Sequence, residues 1–127
     1  MAKSINSLAL DAALAYIATG TELTVCSAQP TTYTEAHTTY KLADVVLTAG
    51  TGNGDWTIGV GDASGRKVAL AQQADIPIDT GGTATHIAIS DTGNSRLLLV
   101  TTCTSQVLTG GNTVTVPTFD DEIADPT

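Results

Sequence analysis

TATHIAISDTGNSRLLLVTTCT, at residues 83–104, is the stretch of sequence that decides the fold. Its first eight residues alternate, with Ile87 and Ile89 on the opposite side of the chain from Ala88, which is the pattern of a β-strand. Residues 91–95, DTGNS, are typical of a hairpin turn, and residues 97–104 predict the returning strand. The stretch therefore predicts an antiparallel hairpin.

Similar short segments recur on both sides of this hairpin, separated by turn sequences that contain glycine or proline. The predicted strands are Glu22–Ala28, Leu42–Thr48, Trp56–Val60, Lys67–Ala71 and Thr113–Phe119, with an edge or extended piece around Pro77. Composition agrees, because 23 of the 127 residues are the β-branched threonine and only 14% are charged, against about 25% in an average domain. We predict a mainly β domain, either an antiparallel β-sandwich or a barrel-like fold.

The only substantial helix is predicted from Ser4 to Ala18, with Ser4 as its N-cap and Gly20 as its C-terminal stop. Plotted as a helix, the segment has two apolar stripes on nearly opposite sides. One stripe consists of Ile5, Leu8, Ala9, Ala12 and Tyr16, and the other of Leu10, Leu14 and Ile17. The sheet of the same chain can cover one stripe. The second is left for a neighbouring subunit, unless the whole helix is sunk in its own core.

Length predicts one domain over residues 1–127, because the chain can bury one core and is too short for two. Its predicted parts are an N-terminal helical segment at 1–20, a β core at 21–119 and an acidic tail at 120–127. Four of the last eight residues are acidic and none is basic, which is typical of a solvated tail. The alternative is that Ile123, which lies among these acids, anchors the tail to a neighbour.

The net charge of −8 argues against several classes of partner. Nucleic-acid-binding surfaces need clustered lysine and arginine, and the chain has five basic residues in total. The same charge disfavours anionic lipid, and no apolar run approaches the roughly 20 residues of a membrane helix. Asn6, Ser7 and Asp11 interrupt the N-terminal apolar residues, which is unlike a secretory signal. We therefore expect assembly in the cytoplasm, with no nucleic acid and no membrane as partner.

The sequence offers weak candidates for catalysis. The glycine-rich run at residues 50–54 lacks the Gly-Lys-Ser/Thr ending of a phosphate loop. Ser90, His86 and Asp91 supply the residue types of a hydrolase triad, but Ser90 and Asp91 begin a hairpin turn instead of a nucleophile elbow. The adjacent acids Asp120–Asp121 point to opposite faces of an extended segment and cannot cooperate simply. The chain is therefore predicted not to be an enzyme.

Metal and cofactor sites are not expected either. The two histidines, His37 and His86, and the two cysteines, Cys26 and Cys103, do not have the spacing of a zinc site. Both cysteines lie in strand-like sequence, and in a cytoplasmic chain we expect buried free thiols, with one disulfide as the alternative. We therefore predict no metal and no cofactor.

Six segments of the chain resemble segments of one family of proteins. They are MAKSI at residues 1–5, VCSAQPTTYTEA at 25–36, SGRKV at 64–68, GTATHIA at 82–88, SRLL at 95–98 and EIADP at 122–126. Together they resemble a family of small structural proteins encoded among the virion genes of tailed bacteriophages and prophages. The resemblance spans nearly the whole chain, except the region around Trp56. The six segments contain no active-site motif.

The resemblance implies a non-enzymatic virion protein assembled in the host cytoplasm. We expect a capsid decoration, or cement, protein that binds the major capsid protein or other virion proteins and forms a homo-oligomer. A tail or neck component is one alternative, and a surface-exposed glycan-binding adhesin module that uses Trp56 is another. The residues expected at the protein interface are mostly apolar side chains of the helix, namely Ile5, Leu8, Leu10, Leu14 and Ile17, together with Trp56, Phe119 and Ile123.

Overall fold

The computed structural model describes residues 4–125 and is mainly β, with antiparallel sheets and one N-terminal α-helix. Residues 1–3 of the predicted helical segment and 126–127 of the predicted tail lie outside the described residues. The elements are α1 (Ser7–Ile17), β1 (Glu22–Cys26), β2 (Lys41–Val46), β3 (Trp56–Val60), β4 (Arg66–Leu70), β5 (Gln73–Pro77), β6 (Gly82–Asp91), β7 (Arg96–Leu108), β8 (Thr113–Val116) and β9 (Phe119–Ile123). A π-helical turn, Glu35–Thr39, precedes β2.

Three antiparallel sheets contribute to one main core. Their strand orders are β2-β1-β6-β7, β3-β4-β9 and β5-β8. Each is an open sheet over the described chain, so the barrel-like alternative is wrong and the arrangement is sandwich-like. The core takes side chains from all three sheets, including Leu23, Leu70 and Ile76, which are at most 1% exposed.

The hairpin predicted from residues 83–104 is confirmed as β6 and β7, which form the longest strand pair. Ile89 pairs with Leu99 and Ala88 with Val100. Both faces of β6 are buried at its C-terminal end, because the main core covers one face and the π-helical turn covers the other. A second small cluster, Cys26, Ala36 and Ala88, lies under that turn.

Helix α1 is shorter than predicted at its N-terminus. The cap is Asn6 instead of Ser4, since the Asn6 side-chain oxygen accepts a hydrogen bond from the Leu8 N–H at 2.8 Å. Asparagine is as good an N-cap as serine, so the cap position was not decided by residue type alone. The helix ends at Ile17, with Ala18 as its C-cap.

Gly20 is required for close packing rather than for a left-handed turn. A Cβ atom there would collide with the Ile89 side chain and approach Trp56 Cζ2 at 3.3 Å. The Gly20 carbonyl accepts a hydrogen bond from the Trp56 indole N–H at 3.3 Å. The end of α1 is therefore fixed against both β6 and β3.

The predicted acidic tail is wrong over residues 120–123, because these residues belong to β9. This strand pairs with β4 along its whole length, with Phe119 opposite Leu70 and Ile123 opposite Arg66. The Glu122 carboxylate accepts hydrogen bonds from the backbone N–H groups of residues 62–64 at 2.7, 3.3 and 3.4 Å. The run of acids suggested a solvated tail. The structure instead pairs β9 with β4 and gives the Glu122 carboxylate three backbone donors in the turn at residues 62–64.

We expect Gly20→Ala to lower the free energy of unfolding by about 1–3 kcal/mol, the typical cost of an overpacked site. Gly59→Ala is the matched control, because a Cβ atom at Gly59 meets nothing within 4 Å and its backbone needs no left-handed conformation. Urea unfolding of both variants measures the difference. Equal stability of the two would contradict the close-packing role of Gly20.

The backbone donors of the 62–64 turn, with Asp62 as the strongest, lower the pKa of Glu122. A lowered pKa in the folded state means that the carboxylate stabilises the fold above its ordinary pKa, and that this contribution is lost as pH falls through the folded-state pKa. Glu122→Gln should therefore reduce the melting temperature at pH 7, with the difference from the unsubstituted chain shrinking towards pH 3. Asp125→Asn removes the same charge and is the control.

Candidate functional site

The outward side of α1 carries an uncovered apolar surface. We call Leu8, Ala9, Ala12 and Tyr16 of α1, together with Ile5 just before its N-cap, the outer helix stripe. All five are exposed, and Leu8, the most exposed of the three large side chains, has 72% of its surface accessible. The opposite stripe faces inward, with Leu14 fully buried and Leu10 6% exposed. The helix is therefore two-sided, and the alternative in which it is sunk in its own core is wrong.

Polar contacts hold the outer helix stripe in place. Arg66 on β4 donates two hydrogen bonds to the Asp11 carboxylate, from Nε at 2.6 Å and from Nη2 at 3.2 Å. Arg96 at the start of β7 donates from Nη1 to the Tyr16 hydroxyl at 2.7 Å. Bidentate arginine–carboxylate pairs fix orientation well, so the helix presents this stripe in a defined direction.

A further exposed apolar side chain lies on β3. Val60 is 72% exposed and pairs with Arg66 across the β3–β4 ladder. Because Arg66 also holds Asp11, Val60 lies at the same end of the molecule as the first turn of α1. An apolar side chain from another element thus adds to the surface at this end.

Two outer strands of the sheets are covered by neighbouring chain. On β2, the backbone N–H groups of Asp79 and Thr80 both donate to the Leu42 carbonyl, at 2.9 and 3.1 Å. On β3, the Gly52 N–H donates to the Trp56 carbonyl at 2.8 Å, which leaves a short free edge. Short or covered edges disfavour pairing with another chain.

The outer strands β7 and β9 of the two larger sheets are protected differently. The β6–β7 register shifts twice, and bulges twist an edge away from a flat pairing geometry. Strand β9 places three acids, Asp120, Asp121 and Glu122, within five residues, which would repel a second acidic strand. These features disfavour the pairing of another chain with the outer strands of the two larger sheets.

The residues predicted at an interface separate into three groups. Ile5 and Leu8 are exposed and available to a partner. Ile17, Phe119 and Ile123 are partly buried and pack against the main core. Leu10, Leu14 and Trp56 are buried in the core, so the interface prediction is wrong for these three. The burial of Trp56 also removes the aromatic platform expected for a glycan site.

The catalytic arrangement considered for Ser90, His86 and Asp91 is not assembled. His86 Nδ1 hydrogen-bonds with the Thr85 hydroxyl at 2.8 Å, and Asp91 accepts from the Asn94 side chain at 2.7 Å within the hairpin turn. The Ser90 hydroxyl is fully buried and has no hydrogen-bond partner among the described residues. His86 and Ser90 are four residues apart along one strand, about 13 Å, which is too far for proton transfer.

A polar cluster that the sequence did not predict joins the π-helical turn to β1. His37 Nδ1 lies 2.7 Å from Glu22 Oε1, and the His37 ring stacks on Tyr33 with centroids 5.0 Å apart. Glu22 is only 7% exposed, although it is a charged residue at the start of β1. A buried acid needs a hydrogen-bonding or charged partner. Because His37 is 15 residues from Glu22 along the chain, the sequence did not identify it as that partner. The cluster is suited to holding the turn on the sheet.

A pocket with a volume of about 370 Å³ opens between β7 and the segment that joins β8 to β9. The described residues that line it are all uncharged; the apolar ones include Val25, Ala84, Ile87, Cys103, Val116 and Phe119. The backbone is irregular on both sides of the pocket. On one side β7 bulges opposite Ala84–His86, and on the other residues 117–118 separate β8 from β9. We call it the apolar pocket.

Both cysteines are free thiols. Cys26 is fully buried beneath the π-helical turn, whereas Cys103 is only partly buried in the wall of the apolar pocket. Burial raises the pKa of each thiol. The expectation of free thiols is confirmed, and that of full burial holds for Cys26 alone.

Other site types were searched over residues 4–125. In this part of the chain, no three acidic, histidine or cysteine residues gather as metal ligands. None of its helices combines the length and apolar character needed to cross a membrane. Searches of family models, of curated proteins and of solved structures each gave no match to this chain. The outer helix stripe, the apolar pocket and the Glu22–His37 cluster are the features of residues 4–125 with a distinctive chemistry.

Leu8 and Leu14 of α1 give a direct test of its two-sided burial. We expect Leu14→Ala to lower the free energy of unfolding by about 2–5 kcal/mol, because it opens a cavity in the core. Leu8→Ala should change it by about 0.5 kcal/mol or less, as is usual at exposed positions. Chemical denaturation of the two variants provides the measurement, and similar losses would contradict the inward–outward assignment.

Proposed function

We propose that this chain is a non-enzymatic structural protein of a tailed-bacteriophage virion, a capsid decoration protein that stabilises the head by binding neighbouring capsid subunits. The observation that carries the proposal is the outer helix stripe, an apolar surface held outward by the Asp11–Arg66 pair. The six sequence segments that resemble virion structural proteins supply the context.

The energetics of such a contact suit a protein present in many copies. Burying one leucine or isoleucine side chain stabilises a contact by about 1.5–3 kcal/mol, so Leu8 and Ile5 give each copy a modest affinity. Simultaneous binding to several capsid subunits multiplies a modest affinity without new contacts. A decoration protein therefore needs a rigid apolar contact and no reacting groups.

Charge distribution supports a position on the outside of the head. A chain with a net charge of −8 would be repelled by packaged DNA if it lined the inner surface. Two of its basic residues are also engaged, since Arg66 pairs with Asp11, and Lys67 with Asp62 and Asp120. The outer surface of the head avoids this repulsion.

Leu8→Ser tests the proposal in particles of a phage that encodes this chain. After deletion of the gene and complementation, we expect the variant to be depleted from purified heads, and the heads to release DNA at a lower temperature than those with the unsubstituted chain. Val46→Ser is the matched control, because Val46 is 81% exposed on β2, and it should leave both measurements unchanged.

Two results would count against this role. One is a head that retains the Leu8→Ser variant and its thermal stability. The other is a copy number per particle that fits a single ring at the tail or neck rather than the many sites of the head surface. Quantitative mass spectrometry of purified particles measures the copy number directly.

A further inference from the structure

The segment between β2 and β3 contains the glycine-rich run and has no part in the proposed function. We call residues 48–55 the glycine loop. Asn53 and Gly54 are both exposed in it, and Gly54 has no Cβ atom to shield its main-chain nitrogen. No acceptor among residues 4–125 receives a hydrogen bond from the Gly54 N–H. An asparagine side chain is therefore followed by a main-chain nitrogen that is open to solvent and uncommitted.

The four asparagines of the chain differ in the residue that follows them. All four are exposed, so access to water does not distinguish them. Asn6, Asn94 and Asn112 are each followed by serine or threonine, whose Cβ atom crowds the main-chain nitrogen of that residue. Asn53 is followed by glycine. The nitrogen next to Asn53 is therefore the one that approaches its asparagine side chain with the least hindrance.

We propose that Asn53 is a site of spontaneous deamidation in the folded protein. The Gly54 nitrogen gives its proton to solvent and uses the electron pair to form a bond to the Asn53 Cγ carbon. The Cγ–Nδ2 bond then breaks, and the departing nitrogen takes up one proton and leaves as ammonia. One water molecule opens the resulting five-membered succinimide at either of its two carbonyl carbons, which gives aspartate or isoaspartate. The whole reaction consumes one water and releases one ammonia.

The nitrogen that leaves is the one that holds the glycine loop together. Asn53 Nδ2 donates a hydrogen bond to the Ala49 carbonyl at 3.0 Å. This bond does not engage the Gly54 nitrogen, which stays available for the attack. A carboxylate at residue 53 has no donor to offer the Ala49 carbonyl, and it places a negative charge two residues from Asp55. Deamidation therefore replaces an attractive contact with repulsion.

The glycine loop also supports the end of α1. The Gly50 N–H donates to the carbonyl of Ala18, the C-cap residue, at 2.8 Å, and the Gly52 N–H donates to the Trp56 carbonyl at 2.8 Å. Isoaspartate adds one carbon atom to the main chain between Gly52 and Trp56, so the loop can no longer keep its present geometry. We expect both hydrogen bonds to weaken, which leaves a helix-end carbonyl without its donor.

Ageing of the whole chain in mildly alkaline buffer, followed by peptide mass spectrometry, measures the reaction. Asn53 should react at least about tenfold faster than Asn94, which corresponds to a barrier difference of about 1.4 kcal/mol. Asn94 is the matched control, because it is exposed in a turn but followed by Ser95. An isoaspartyl methyltransferase should label the aged chain and not an aged Asn53→Gln variant, whose longer side chain would have to close a six-membered ring.

Two results would overturn the assignment of the site. One is an equal rate of deamidation at Asn53 and Asn94. The other is an Asn53 that reacts in the urea-unfolded chain and stays intact in the folded chain, because the fold would then protect the side chain.

Asn53→Asp reproduces one of the two products and tests the effect on the loop. Hydrogen exchange of the Gly50 and Gly52 amides should become about tenfold faster, because local opening governs the exchange of hydrogen-bonded amides. Asn94→Asp adds the same charge in the β6–β7 turn and should leave these two amides unchanged. Unaltered exchange in both the Asn53→Asp variant and the aged chain would contradict the weakening of the contact with α1.

Discussion

The close contact between the end of α1 and the two larger sheets is the constraint on which the rest of the structure depends. Gly20 lies against Ile89 of β6 and accepts a hydrogen bond from Trp56 of β3, so the C-terminal end of the helix is held against both sheets. That position buries Leu14 and leaves Leu8 outside. A larger residue at Gly20 would lift the helix and expose the core beneath it. The direction of the outer helix stripe thus follows from packing at the C-terminal end of the helix together with the Asp11–Arg66 pair.

The surface of the protein limits how it can meet a partner. Covered strands, bulges and the acids of β9 all disfavour sheet extension, and the net charge disfavours broad contact between copies. Uncharged features are then the places where association costs least: the outer helix stripe with Leu8, and the apolar pocket with Cys103 in its wall.

Local pattern predicted much of the fold. The hairpin of residues 83–104 has both an alternating strand and a turn sequence, and these two signals together determine an antiparallel pair. The same reasoning predicted Trp56–Val60 with its observed bounds. It was wrong for residues 120–123, because a run of acids reads as solvated when its partners, the N–H groups of residues 62–64, are about 60 residues away in sequence. Of the candidate site, the sequence predicted Ile5 and Leu8, but the apolar pocket needs elements that are distant along the chain.

The sequence by itself determined the spacing at which apolar residues recur. They alternate in the strands, and they form two stripes on the one predicted helix. These are local properties, since side-chain direction follows from backbone geometry within a few residues. Only the tertiary structure decided which stripe would be buried, that Trp56 would lie in the core, and that Glu22 would meet His37. Both stripes carry apolar side chains, so the presence of an apolar stripe did not by itself say which side would be buried. The shape of the sheets beneath Leu14 does, because only one side of the helix can approach them closely.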